Sequence, residues 1–502
     1  MIIPDVIHIM SKTTVSTGGV LIDPHCQYQT GSLAQQNGSV YSCTLNQTNI
    51  SNNNNKFYIM QVIHAGSYYV FVRYGRIGEV GVISNKQFSS LDQATGFFEK
   101  QFKAKTGNNW SQKNNFQRIT GKYFLTEIDR VEDIKESESS SSEDDPVKLD
   151  PKIIKLLELI TNQTYMKNTL TQLEIDTEKM PLGKISQTQI DKGYEILNEI
   201  NNNLGDDHVL SALSSEYYTY IPINTGRRKP PLIDSKDLIG KNLNLLNELS
   251  QMIYGSKTVT KLGKKNTNNA LIKTYEELGT TFYPLEKTDE MYQILVDYLK
   301  NSKAPTHNFN FSVEEIFELE RPKEKEAYDI YSKYIKNKTL LFHGTRVSNM
   351  MGILKNGLVV DPSRLGINVS ITGKMFGMGL YFANSCSKSI NYCGYSYSDN
   401  IACLFVSEVA LGNMLKKVHA DSGLTAKNIP NGYHSTWGLG KSTIKQYDRY
   451  DDGTQVPVGK IAQNSTGKYD LLYDEFIVYH EEQVNLRYII KLRVHNDDSD
   501  SD

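Results

Sequence analysis

The sequence predicts a multidomain α+β protein: a small β-rich domain first, an all-α domain in the middle and an α+β domain in the last third. Three observations lead there. The chain has 502 residues, too many for one hydrophobic core, since a domain takes roughly 100 to 200 residues. Apolar residues alternate with polar ones from Lys56 to Gly81, recur at helical spacing between about Val147 and Thr274, and return to strand-like runs after about Gly279. Between these textures lies a stretch with almost no apolar residue, EDIKESESSSSEDD from Glu132 to Asp145, which cannot bury enough surface to order itself.

Composition narrows the function classes. Hydrophobic residues make up 39% and charged residues 22%, ordinary for a globular protein. The net charge of -2 says little. Its distribution says more, because residues 1–130 carry 12 Lys and Arg against 7 Asp and Glu, an excess of five compatible with phosphate binding. The five cysteines, Cys26, Cys43, Cys386, Cys393 and Cys403, form no CxxC pair and no Cys/His spacing for zinc, so a reducing compartment and no metal are expected. The start MIIPDVIHIM has an acid at Asp5 and no extended apolar region, and nowhere do 18 apolar residues run together. A chain that is neither secreted nor membrane-spanning is expected.

Taken in order, residues 1–50 are polar and Asn/Gln-rich and read as a disordered or loosely ordered tail. Residues 51–130 read as the β-rich domain. In it KFYIMQVI and YYVFVRYGRIGEVG flank a short AGS turn at Gly66, and a helix follows with Ser90 or Asp92 as its cap. Residues 131–146 are the acidic linker, whose serines and glutamates are open to a modifying activity. Residues 147–274 read as all-α, with Ile190, Tyr194, Leu197 and Ile200 at helical spacing. Residues 279–496 read as α+β, with TLLFHGT, GLYFA, DEFIVY and YIIKLRV as strands, and 497–502 as an acidic tail.

Three polar groups emerge from apolar strands in the last third: His343 at the end of TLLFHGT, Tyr381 in GLYF and Glu475 in LLYDEFIVY. Each alone reads as a satisfied core or turn residue. Their surroundings point further. In FGMGLYFANSCSKSINYC, Gly377 and Gly379 precede Tyr381, and Ser389 and Tyr392 follow about one helical turn apart. Such a stretch suits a ligand that approaches backbone closely, lies beside aromatic rings and meets hydroxyls at its rim.

The motifs LLFHGTRVSNMMGILKNGL, GKMFGMGLYFANSCSKSINYC, VALGNM, GLGKST and YDEFIVYHEEQVNLRY resemble, in content, order and spacing, the catalytic domain of the poly(ADP-ribose) polymerases. The likeness is to the DNA-dependent short form without zinc fingers. Upstream, KMPLGKIS and KPPL resemble that family's helical regulatory domain, and NNNKFYIMQV, RYGRIGEVG, KTGNNW and GKY its WGR domain. The resemblance implies an NAD+ ADP-ribosyltransferase that takes NAD+ as substrate, is stimulated by DNA strand breaks in the nucleus, and modifies and elongates ADP-ribose on protein acceptors, itself included. It leaves room for an accessory factor that completes the active site. GRRKPP at Gly226–Pro231 is too short to stand as an import signal.

Carried over position by position, the resemblance implies that Glu475 stabilises the developing cationic ribose and polarises an acceptor hydroxyl. It implies that His343 binds the adenine-side ribose and that Gly344, Ser389, Tyr392 and Tyr381 form the nicotinamide pocket. Thr345 and Gly352 fall at further NAD+ contacts, and Lys388 and Met375 on the acceptor side. Three positions depart from the family: Lys374 where a tyrosine is usual, Val359 for an arginine with Arg364 as a substitute, and Asn247 for an aspartate. Arg73, Tyr74, Gly75, Arg76 and Trp110 are the DNA-binding candidates, arginines for phosphates and aromatics for an exposed base or sugar. The alternative there is a solvated basic face. GLGKST ends like a phosphate-binding loop but has Ser435 where the first glycine belongs. GMG lacks the third glycine of a dinucleotide fingerprint. A mono-ADP-ribosyltransferase with the same fold and a non-catalytic DNA-binding adaptor remain as alternatives.

Overall fold

A computed structural model describes residues 22–36, 38–126, 149–175, 186–261, 268–360, 374–450, 452–464 and 467–496. The acidic linker, the acidic tail, residues 1–21, most of KMPLGKIS and the segment that contains Arg364 lie outside the described residues. The chain divides into two compact units. One takes residues 1–142, 174–196 and 203–233, and the other 143–173, 197–202 and 234–502.

The first unit is built on a twisted antiparallel sheet. Its strands are β1 (Ser32–Leu33), β2 (Gln35–Gln36), β3 (Ser39–Val40), β4 (Ser42–Asn49), β5 (Asn54–His64), β6 (Tyr68–Arg76), β7 (Val82–Phe88) and β8 (Phe124–Thr126). The main path runs β7-β6-β5-β4-β8, with β1 paired to β5 and β2 to β3 alone. The AGS turn joins β5 to β6, and Gly66 takes a positive φ of 76° there, which a side chain disfavours. Helix α1 (Leu91–Thr106) starts at Ser90, whose side chain accepts from the Gln93 N–H, and stops at Gly107 in the left-handed conformation. Its Ala94, Phe98 and Phe102 pack on Leu45, Met60, Val62 and Val70 of the sheet.

One expectation is corrected here. Residues 22–50 are not a loose tail, because β4 lies inside the sheet between β5 and β8 with Cys43, Thr44, Leu45 and Asn46 buried. Polar groups at the end of β4 and the start of β5 find hydrogen-bonding partners within the fold. The Thr48 N–H donates to Thr219 Oγ1 at 3.2 Å, the Thr48 hydroxyl to the Tyr218 carbonyl at 3.3 Å, and Asn55 Nδ2 to the Ile223 carbonyl at 3.0 Å. Polar composition here marks strand ends paired inside the fold.

The helical stretch yields α2 (Pro151–Ile160), α3 (Gln163–Gln172), α4 (Gln187–Asn202), α5 (Asp207–Tyr220), α6 (Lys236–Lys261) and α7 (Asn268–Leu278). Ile190, Tyr194, Leu197 and Ile200 are all buried, as their spacing requires. These helices do not gather into a compact unit of their own. Helix α5 belongs to the first unit, α2, α3, α6 and α7 to the second, and the division falls within α4.

In the second unit the chain continues through β9 (Thr281–Pro284), α8 (Glu290–Asn301), β10 (Phe309–Glu320), α9 (Pro322–Ser332), β11 (Lys338–Thr345), α10 (Met350–Asn356), β12 (Leu380–Phe382), α11 (Cys386–Ile390), β13 (Ile401–Ala410) and β14 (Met414–Lys417). It then forms β15 (Ser435–Gly438), β16 (Gly440–Ile444), β17 (Tyr447–Arg449), β18 (Gln455–Pro457), β19 (Ile461–Gln463), β20 (Leu471–Tyr473), β21 (Glu475–Val478) and β22 (Val484–Asn496). The larger sheet runs β17-β18-β11-β13-β22-β10-β9, and a second runs β12-β21-β15-β14. Strand β13 is buried at every position, since both faces are covered and both edges paired. A bridge between Phe342 and Ala383 joins the two sheets. Beside that bridge, the end of β11, strand β12, the start of β21 and α11 converge.

Candidate active site and nucleic-acid face

Strand alternation aims the backbone of Gly344. The N–H and C=O of Phe342 both pair with Ala383 at 2.8 and 3.0 Å, so the same groups of Gly344, two residues on, turn to the same side. Strand β12 does not pair with Gly344 there, and its opposite neighbour in the register is Leu404 of β13. A Cβ at 344 would overlap the carbonyl oxygen of Ser389, so only glycine lets α11 come this close. Ser389 is buried, and its hydroxyl donates to the Phe342 carbonyl at 3.4 Å. Tyr392, just past α11, is 61% exposed.

Beside Gly344 in the same strand, His343 Nδ1 lies 3.0 Å from the Tyr381 carbonyl. A carbonyl only accepts, so Nδ1 carries a proton and Nε2 of the neutral ring is left as an acceptor. Burial holds the imidazole below its ordinary range; the hydrogen bond opposes this and the Lys374 charge adds to it. The Tyr381 hydroxyl donates to the Gly377 carbonyl at 2.8 Å and accepts from the Phe376 N–H at 3.0 Å, and burial pushes its pKa far up. These two bonds hold the glycine turn. Lys374 Nζ stands over the Tyr381 ring, 5.2 Å from its centroid and 3.4 Å from the Gly379 carbonyl, and burial pushes the ammonium down to about 8.

Glu475 opens β21, opposite Gly438 of β15. Lys388 of α11 reaches it, Nζ to Oε1 at 2.9 Å, with both side chains nearly buried. The same ammonium donates to the carbonyls of Tyr473 at 2.9 Å and Asp474 at 3.4 Å. Burial pulls the Lys388 pKa down, while Glu475 and Asp474 work against it. The charge of Glu475 is also felt at Tyr381 and Tyr392. These contacts bring His343, Gly344, Tyr381, Lys388, Ser389, Tyr392 and Glu475 into one neighbourhood.

The remaining candidates have other surroundings of their own. Thr345 is buried, its hydroxyl accepting from Asn349 Nδ2 at 3.1 Å. Gly352 lies in α10 against α6, where a Cβ would come within 2.6 Å of the Gln251 carbonyl, and so serves helix packing. Met375 packs with Phe376, Leu424, Ile477 and Tyr479. Asn247 is on α6 and Val359 follows α10. Sequence reasoning missed Arg346, whose guanidinium pairs with Glu248 of α6 and donates to Gln172 Oε1 of α3 at 3.0 Å. The signal was its place directly after Thr345. Among the described residues, no cluster of His, Cys, Asp or Glu could hold a metal ion, and no helix is long and apolar enough to cross a membrane.

In the first unit two DNA-binding candidates are corrected. Arg73 is 1% exposed; its Nη2 pairs with Asp23 Oδ2 at 2.7 Å, its Nη1 donates to the Val80 carbonyl, and it lies over the Phe57 ring. Trp110 is 4% exposed among Tyr41, Phe98 and Phe102. Neither offers its side chain to a nucleic acid, because each is spent on the core. Tyr74 is 42% exposed and stacks on Tyr58, with Lys105 Nζ 4.7 Å above the Tyr58 ring. Gly75 lets Gly81 approach, a Cβ there falling 2.8 Å from the Gly81 Cα. Arg76 donates to the carbonyls of Asn53 at 2.9 Å and Arg228 at 2.7 Å, to Asn53 Oδ1 at 3.0 Å, and to the Gly226 carbonyl.

Comparison with known proteins bears on both regions. The family model for the poly(ADP-ribose) polymerase catalytic domain matches residues 289–494. The model for the poly(ADP-ribose) polymerase regulatory domain matches 147–275, and that for the WGR domain 41–117. The chain is 34% identical over 504 residues to the poly [ADP-ribose] polymerase 2 of Homo sapiens, covering 96% of this chain and 85% of that protein. It is 34% identical over 497 residues to poly [ADP-ribose] polymerase 2 of Zea mays, covering 95% and 74%. With poly [ADP-ribose] polymerase 1 of Danio rerio it shares 34% over 500 residues, covering 96% of this chain and 48% of that one.

Proposed function

Because this chain belongs to the poly(ADP-ribose) polymerase family and is an NAD+ ADP-ribosyltransferase, we propose that broken DNA switches it on in the nucleus. In this reading it modifies proteins, itself included, in the DNA damage response. The observation that carries the catalytic part is the Lys388–Glu475 pair, set in the same neighbourhood as Gly344, Ser389, Tyr381 and Tyr392.

Nicotinamide is flat and carries one carboxamide. The outward N–H and C=O of Gly344 suit that group, with the Ser389 hydroxyl and the rings of Tyr381 and Tyr392 around it. His343 Nε2, an acceptor, suits a ribose hydroxyl. When the bond from ribose C1′ to the nicotinamide nitrogen breaks, the sugar becomes cationic, and the Glu475 carboxylate stabilises it. The acceptor oxygen then bonds to C1′ while its proton passes toward Glu475. In elongation that acceptor is a hydroxyl of the ADP-ribose already attached. Lys388 holds the Glu475 carboxylate in place before substrate arrives.

For DNA coupling, Arg76 ties the β-rich sheet to the loop at 226–228. Helix α6 begins a few residues further along the chain and carries Glu248 to Arg346, next to Thr345. A DNA end that pulls on the sheet would strain this connection and loosen the helices over the NAD+ site, a local-unfolding switch. Tyr74, exposed two residues before Arg76 on the same strand, is the favoured DNA-facing residue. The test measures nicotinamide release with and without nicked DNA, alongside a gel of labelled products. Release that nicked DNA does not stimulate would refute the switch, and a single product band would refute elongation.

A further inference from the structure

We propose that Asp474 is the positioning residue for Glu475, and that the turn of chain from Gly438 to Thr443 is built to hold its carboxylate. This rests on the proposed role of Glu475. Asp474 is fully buried. Its Oδ1 accepts from the Gly440 N–H at 2.7 Å, and its Oδ2 from the Thr443 hydroxyl. The glycine of this turn is required by the fit, since a Cβ on Gly440 would stand 2.5 Å from the Tyr473 carbonyl carbon and 2.7 Å from the Asp474 nitrogen. Strand β16 then pairs in parallel with β20, Ser442 opposite Tyr473. The GLGKST run, which ends like a phosphate loop, thus offers a backbone N–H and a hydroxyl to a carboxylate of its own chain.

Alternation along an extended chain sends the side chains of Asp474 and Glu475 to opposite sides. Asp474 therefore does not face the same side as Glu475, and acts through the backbone. On one side its carboxylate is clamped by the turn. On the other, Lys388 takes the carbonyls of Tyr473 and Asp474 and the carboxylate of Glu475 with one ammonium. Three consecutive residues are thus gripped from both sides, leaving the Glu475 backbone little freedom. The Asp474 charge also helps to keep Lys388 protonated against burial. A displacement of about 1 Å at a reacting group costs on the order of a hundredfold in rate, which is the reason to clamp this residue.

The experiment compares Thr443→Val, Thr443→Ser, Asp474→Asn and Glu475→Gln in the full chain, by nicotinamide release with nicked DNA. Thr443→Val is expected to lower kcat by roughly 10- to 100-fold, with KM for NAD+ within about twofold. Thr443→Ser, which keeps the hydroxyl, is expected to return to within about threefold of the parent. Asp474→Asn keeps the shape, removes the charge and is expected to lower kcat likewise; it carries the test should Thr443→Val fail to fold. Unchanged kcat in both, or a loss that Thr443→Ser shares, overturns the proposal. If Glu475→Gln retains activity, the reading of Glu475 itself fails; if Glu475→Gln is dead while Thr443→Val and Asp474→Asn keep the parent's kcat, only the positioning role fails.

Discussion

The ammonium of Lys388 and the carboxylate of Glu475 meet at 2.9 Å, each nearly buried. Their attraction is strengthened by the loss of water, and the two backbone carbonyls on Lys388 fix its direction. A carboxylate held this way needs no reorganisation when positive charge develops beside it.

Glu475→Gln keeps the shape and removes the charge. It is expected to lower kcat for nicotinamide release on the order of 100- to 1000-fold, with KM for NAD+ changed far less. Steady-state kinetics check this, and parental turnover in the amide variant would exclude a catalytic carboxylate at 475.

Gly344→Ala puts a methyl where the Ser389 carbonyl stands. Either β11 or α11 must move, and both carry candidate site residues. A loss of kcat/KM of about 100-fold or more is expected, together with a lower melting temperature. A variant with the parent's kinetics would show that α11 need not approach this strand.

Arg76→Ala removes bonds from a charged donor to the Asn53, Gly226 and Arg228 carbonyls. Such bonds contribute about 1.5–3 kcal/mol each at most. Stimulation of nicotinamide release by nicked DNA is expected to fall roughly tenfold. Full stimulation in the variant would break the proposed link between sheet and loop.

Lys374 titrates near 8 in the folded chain because burial disfavours its charge, whereas an unfolded lysine titrates at about 10.4. Below pH 8 both states are charged and the folded one bears the full penalty. As pH rises from 8 to 10.4 the folded state alone sheds its proton, and stability recovers. Lys374→Met is therefore expected to raise stability at pH 7 by roughly 1–3 kcal/mol, after discounting for residual solvent screening. It should also flatten the change in melting temperature between pH 8 and 10. Thermal melts across that range decide it.

Asp23→Ala leaves the Arg73 guanidinium buried without its carboxylate. Loss of one partner of a buried pair costs about 3–5 kcal/mol, so the first thermal transition of the full chain is expected to drop by several degrees. An unchanged melt would mean that Arg73 finds another partner or reaches solvent.

Much of the fold was legible because its signals are local. The Ser90 cap, the Gly66 turn and the helical spacing of Ile190, Tyr194, Leu197 and Ile200 all lie within a few residues of what they control. His343, Tyr381 and Glu475 were likewise marked as polar groups leaving apolar strands. What misled was distance. Arg73 reads as a surface arginine until Asp23, from a segment taken for a tail, closes over it. Trp110 reads as a stacking platform until its turn folds back on α1. Asp474 stood beside Glu475 unremarked, since its partners Gly440 and Thr443 lie in a different strand.

By itself the sequence determined where helices and strands form and which chemical groups are at hand, because periodicity, caps and turns act between near neighbours in the chain. Only the tertiary structure decided which charges are internal and which meet. Pairs such as Thr48 and Thr219 are 171 residues apart, and whether a polar group faces water or a partner is settled by packing between segments that no local pattern relates.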